Sequence, residues 1–156
     1  EVRLDAKEEF LYVVETTGKH VSRLRVGEDG ALTGREIFGP SNLGTGFPDG
    51  IAFDSFGNLW GTLIMSDQLF VLTPEGECQI LLDDGKPEAT DALEKAFYER
   101  QVTPELMLAA SGAIAPWMAS VTFGGPDLKT VYLGSLRGTR IPYFRSPVAG
   151  QPMAHW

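Results

Sequence analysis

An all-β fold, built as about three blades of a β-propeller and interrupted by a short helical insertion, is what these 156 residues predict. Three segments share one grammar: RLDAKEEFLYVVETTGKHVSRLRVGEDG from Arg3, AFDSFGNLWGTLIMSDQLFVLTPEGE from Ala52 and TFGGPDLKTVYLGSLRGTRIPYFRSP from Thr122. The first two are about 50 residues apart, the period of a four-stranded blade. The 18 Gly and 10 Pro fall largely between short apolar runs, as turns do in a strand-rich chain.

Each segment opens on a strand ending in an apolar-polar pair: Leu4-Asp5, Phe53-Asp54, Phe123-Gly124. A polar turn follows, in which Asp5 and Asp54 read as capping residues. An apolar-aromatic pair then starts the next strand: Leu11-Tyr12, Leu59-Trp60, Val131-Tyr132. The third strands are VSRLRV, QLFVLT and RIPYFR, and REIFG and QILLDD supply a fourth strand to the first two units. The blades so read are 1–45, 46–85 and 119–156. An ordinary antiparallel sandwich with look-alike hairpins is the competing architecture.

The third unit comes late because residues 86–118 intervene. TDALEKAFYERQ reads as a helix capped by Thr90 or Asp91, and TPELMLAASG as a second, with Thr103 as cap and Pro104 in its first turn. Trp60, Phe70, Tyr132 and Tyr143 lie in strand-like runs and are expected to pack between blades.

Composition narrows the function. An apolar fraction of 43% with 22% charged residues describes a globular chain long enough for a sizeable core. A net charge of −8 argues against nucleic acid and against an anionic membrane, both of which are bound mainly through Lys and Arg. No run approaches the roughly 18 apolar residues of a membrane span. Cys78 is the only cysteine, which excludes an intrachain disulfide and a cysteine-rich zinc site; it reads as a small, partly buried strand residue. The chain starts EVRLDAKEEF without Met or signal peptide, which reads as a piece of something longer. His20 and His155 have no partner at metal-ligand spacing and are assigned to surface or terminal positions. GTG and GGPD lack the Lys-Ser/Thr and the helix of a phosphate loop. Glu15 reads as a paired or solvated strand residue.

The most informative stretch is GFPDGIAFDSFGNLWGT, where a Pro-Asp-Gly turn stands directly before an apolar strand. Asp49 is either a turn former, fixed by Pro48 and Gly50, or an acid at the mouth of a sheet. In a propeller, residues before the innermost strands converge on the central channel, so a carboxylate there suits a cation and hard oxygen donors suit Ca²⁺, Mg²⁺ or Mn²⁺, with Zn²⁺ also accommodated.

FLYVVETT, FPDGIAFDSFGNLW and SVTFGGPDLKTVYLGS together resemble the C-terminal half of the regucalcin/gluconolactonase family of six-bladed propeller lactonases. Strictosidine-synthase-like propellers share a looser version of the pattern. The resemblance implies hydrolysis of a sugar lactone at a single divalent metal ion, Ca²⁺ first among the candidates. Its ligands are an early Glu, an Asn before a strand and the Asp of the PDG turn, which is Asp49 here. Asp49 is then metal ligand and catalytic residue, orienting or deprotonating the attacking water. Counting back from Leu4 as Asp49 stands to Phe53 places the Asn one residue before Glu1, and the early Glu has no counterpart. The same count reaches Ala119 in the third unit, whose neighbour Ser120 is a candidate for lining the mouth beside the substrate. A chain with one ligand of three is expected to need its missing N-terminal half or a second copy to close the ring. The alternative is a non-catalytic propeller fragment that serves as a binding module.

Overall fold

The computed structural model describes residues 1–153; His155 and Trp156 lie outside them. Strands hold 42% of the chain and helices 12%, which makes it all-β. The first sheet contains β1 (Val2–Leu4), β2 (Phe10–Glu15), β3 (His20–Val26) and β4 (Leu32–Phe38), in chain order and antiparallel. The second repeats it with β5 (Phe47–Phe53), β6 (Leu59–Ile64), β7 (Gln68–Leu72) and β8 (Cys78–Asp83). After helices α1 (Pro87–Tyr98) and α2 (Pro104–Ala109), the third sheet has β9 (Met118–Gly124), β10 (Thr130–Ser135) and β11 (Tyr143–Arg145). No helix among the described residues is long and apolar enough to cross a membrane.

Strand periodicity explains how the sheets stack. Side chains alternate between the two faces of a strand, and the second blade spends both faces on its neighbours. Ile51, Phe53, Leu59, Phe70 and Leu72 pack with Tyr12, Val14, Val21 and Phe38 of the first blade. Ala52, Trp60, Leu69 and Val71 pack with Met118, Val121, Phe123 and Val131 of the third. All of β6 is therefore buried. Tyr12 sits edge-on to both Phe38 and Phe53 at 5.0 Å between ring centroids, and Trp60 edge-on to Phe123 at 5.2 Å. Gly61 is required by this packing: any side chain there would occupy the space of the Phe70 ring.

Asp5 and Asp54 hold the turns after the inner strands. Asp5 accepts from the amides of Glu9 and Phe10. Asp54, 2% exposed, accepts from the amides of Phe56 and Asn58, from Asn58 Nδ2 and from Trp60 Nε1. Gly124 takes this place in the third blade.

Several expectations need correction. Helix α1 starts at Pro87 after an N-cap Lys86 that makes no side-chain cap bond. Neither Thr90 nor Asp91 caps it: Pro87 sets φ for the first turn and has no N–H to satisfy, while Thr90 is buried with its hydroxyl donating to Lys86 O at 3.0 Å. Thr103 does cap α2, accepting from the Leu106 amide, with Pro104 following. Tyr143 does not pack between blades. It is 69% exposed and tilts against Tyr132 on an outer face that no other sheet of the described residues covers. His20 is half-buried, and its Nδ1 meets Gly18 O at 2.8 Å within the β2–β3 turn. Cys78 is partly buried, and burial pushes its thiol up.

Candidate functional site at the heads of the inner strands

Strands β1, β5 and β9 are the inner strands, and their first residues come together. The Ile51 amide donates to Glu1 Oε2 at 3.0 Å. A methyl group on Gly50 would stand 2.5 Å from Ser120 Cα and 2.6 Å from Ala119 O, so only glycine allows β5 and β9 to approach this closely. Glu1, Gly50 and Ser120 thus occupy corresponding places, each three residues before Leu4, Phe53 and Phe123. Asp49 and Ala119 correspond one residue earlier.

Asp49 lies inside β5, where the pairing with β6 shifts between Pro48 and Ile51. The irregularity frees the Gly50 amide from the ladder, and it donates to the buried Thr62 hydroxyl at 3.1 Å. Asp49 is half-buried and has no hydrogen-bond or ion-pair partner among the described residues. Burial pushes its carboxyl up. Such a carboxylate is unlike other acids of the fold: Glu1 is paired with Arg3 as well as with the Ile51 amide, and Asp54 and Asp67 accept several donors each.

Ser120 is exposed at the head of β9, opposite Gly134 in the pairing with β10, and its hydroxyl leans over that glycine. It corresponds to Gly50 in position, so the structure brings its backbone, beside Asp49's own neighbour, into the convergence. Glu15 is a paired strand residue. The Arg35 guanidinium and the Ser22 hydroxyl hold its carboxyl at about 2, and His20 Nε2 lies 3.4 Å away.

Three residues that the sequence reading passed over organise the rim. Lys19, 3% exposed, places Nζ 2.5 Å from Glu94 Oε1 on α1 and 5.5 Å from the centre of the Phe47 ring. The other oxygen of Glu94 accepts from the Gly46 amide at 3.3 Å, so α1 is fastened to the head of β5. Asp67, fully buried, accepts from the Gly112 and Met118 amides at 2.7 Å each, which fixes the end of the insertion and the start of β9. Its φ of 48° is left-handed, a conformation that Asp tolerates better than most residues. A buried Lys immediately before a strand and an acid in a tight turn were the available signals; their partners are too distant in sequence to be inferred.

A hard divalent ion takes six or more oxygens. No group of three His, Cys, Asp or Glu side chains able to hold a metal occurs among the described residues. Asp49 is the one unpaired carboxylate at this convergence among the described residues, so those residues do not by themselves fit the ion.

Comparison with known proteins agrees with this fold. A 6-deoxy-6-sulfogluconolactonase of Pseudomonas putida is 28% identical over 132 residues, 84% of this chain and 35% of that protein. The fold matches the crystal structure of regucalcin, described as a calcium-binding protein, from Agrobacterium tumefaciens, with a TM-score of 0.68 at 15% identity over 98% of this chain and 47% of the other. It matches a luciferin-regenerating enzyme with a TM-score of 0.65 at 15% identity, over 97% of this chain and 46% of the other. The chain thus spans about a third of its curated relative and under half of these solved structures. The SMP-30/gluconolactonase/LRE-like region matches residues 2–82, the first two blades with Asp49 in the head of the second. On that match over half its length, and on three blades whose inner strands meet around Asp49, the chain belongs to the SMP-30/gluconolactonase/LRE-like family.

Proposed function

We propose that this chain is part of a lactonase that opens a sugar lactone or similar cyclic ester to the hydroxy acid, with Asp49 as its principal reacting group. The observation that carries the reading is the Asp49 carboxylate itself. It stands half-buried and, among the described residues, unpartnered at the strand convergence, where Glu1 is paired. An unpaired carboxylate held out of water is costly, and such groups gather at functional sites.

In the reaction, Asp49 accepts a proton from water as the water oxygen attacks the ring carbonyl carbon. The tetrahedral carbon then expels the ring oxygen, which takes up a proton and leaves the opened hydroxy acid. A carboxyl raised by burial is a stronger base than a solvated one, and a positioned base contributes about 10²–10⁴-fold. Asp49 is also the ligand this chain would give to a divalent ion, Ca²⁺ before Mg²⁺, Mn²⁺ or Zn²⁺, alongside ligands from elsewhere. Ser120 lines the mouth beside the substrate.

Those further ligands come with the rest of the ring: a preceding part of the same polypeptide, or a second copy. Exposed apolar side chains on the outer sheets favour such an assembly, with Leu32 and Ile37 on β4 and Leu136, Ile141 and Tyr143 about β11 at 48–69% exposure. A pair of copies would set two Asp49 carboxylates across one channel, and would bind cations yet hydrolyse lactones poorly. Light scattering together with acid release from glucono-δ-lactone tests this reading, on the chain alone and within a longer polypeptide. Activity is expected only in the longer form; a monomer of the isolated chain with full lactonase activity refutes it.

A further inference from the structure

We infer that the helical insertion builds an apolar subsite beside Asp49, which takes a hydrocarbon arm on the substrate. A groove of about 280 Å³ runs between the insertion and the turns of the first two blades. Phe47, Met65, Leu93 and Phe97 of α1, Val102 and Met107 line it, together with Thr16 and Thr17 of the β2–β3 turn. Its lining exposes carbon only.

Position ties the groove to the site. Phe47 stands two residues before Asp49 in β5, about 7 Å along the strand. Its ring meets Phe97 at 4.6 Å between centroids, so the strand that carries the acid also lines the groove. The insertion is anchored there by Lys19–Glu94, by Glu94 to the Gly46 amide and by Asp67 to Gly112 and Met118. These anchors are buried or half-buried, which marks a fixed wall and not a swinging flap.

Chemistry selects the occupant. A polar sugar ring would lose hydration in such a groove and recover no hydrogen bond, whereas an alkyl branch gains on burial. The groove lies within this one chain and shares strand β5, through Phe47, with the Asp49 carboxylate. A small ester with a hydrocarbon arm therefore fits it better than a protein partner does. Two methionines in the lining adapt to the shape of a flexible chain.

This subsite rests on the lactonase reading for its catalytic meaning, but its occupancy is measurable separately. With ¹³C-methyl methionine, γ-octalactone is expected to shift Met65 and Met107 and to leave Met118 and Met153, which do not line the groove, unmoved. Affinity across a series of γ-lactones should tighten about fourfold per added methylene until the groove is full. Val102→Trp, at a position already 41% exposed, should weaken γ-octalactone at least tenfold. Asp49→Asn should keep the methionine shifts. Affinity indifferent to alkyl length, or shifts at Met153 in place of Met65 and Met107, overturns the subsite. Methionine shifts with no hydrolysis in the longer polypeptide uphold the subsite and overturn the lactonase reading; hydrolysis there without the shifts does the reverse.

Discussion

Replacing Asp67 by Ala should cost the fold about 5 kcal/mol, and the sum can be worked from its contacts. The carboxylate is fully buried and accepts from two backbone amides at 2.7 Å. Hydrogen bonds to a charged group contribute about 1.5–3 kcal/mol each. The Gly112 amide is half-exposed and can recover water, so its bond counts near the lower figure; the Met118 residue is fully buried and counts near the upper. The left-handed φ of 48° adds about 1 kcal/mol of strain for Ala. Asp67→Asn keeps one acceptor and tolerates the left-handed backbone, so it should cost only about 2 kcal/mol. Urea unfolding separates the two, and hydrogen exchange should quicken at the Met118 amide before it does in β6. An Asp67→Ala chain within about 1 kcal/mol of the parent would refute the claim that this one side chain fixes the insertion to the blades.

Gly50→Ala should destabilise by about 3 kcal/mol in the same assay, because its methyl meets backbone atoms of Ala119 and Ser120 that cannot yield separately; a neutral result would mean that β5 and β9 are not in close approach. Glu15→Gln should cost about 1 kcal/mol at pH 7, the screened value of an exposed ion pair. The Glu15 carboxyl is depressed from 4.5 to about 2, so its contribution is present above pH 4.5 and lost as pH falls toward 2. Urea midpoints of the two chains should converge over that window; a gap persisting at pH 2 would point to packing instead.

The blade pattern was legible because strand pairing in an antiparallel meander is local: each strand meets its sequence neighbour. Asp5, Asp54 and Thr103 were legible for the same reason, since their partners lie within six residues. The start of α1 was misjudged where two local signals competed and Pro87 outweighed Thr90. The rim was not legible. Lys19 and Glu94 are 75 residues apart, and Asp67 reaches 45 and 51 residues to its donors, so nothing local reports those pairs. Tyr143 was assigned to an interface on aromatic character alone, whereas exposure depends on whether a further sheet covers that face. The place of Asp49 in the repeat was readable by counting; its lack of any partner was not, because isolation is a property of the surrounding fold.

The central claim is that Asp49 is the carboxylate that reacts, and Asp49→Asn within the lactone-hydrolysing form tests it most directly. The substitution removes the base while preserving shape, so kcat/KM on a sugar lactone should fall about 10²–10⁴-fold. Because burial raises the Asp49 carboxyl, its ionisation costs stability as pH rises through the folded value. The Asn chain should then unfold at a higher temperature than the parent at pH 7 and at the same temperature well below pH 3.8. Lost activity with undiminished thermal stability is the predicted result; a kcat/KM within threefold of the parent would contradict the account.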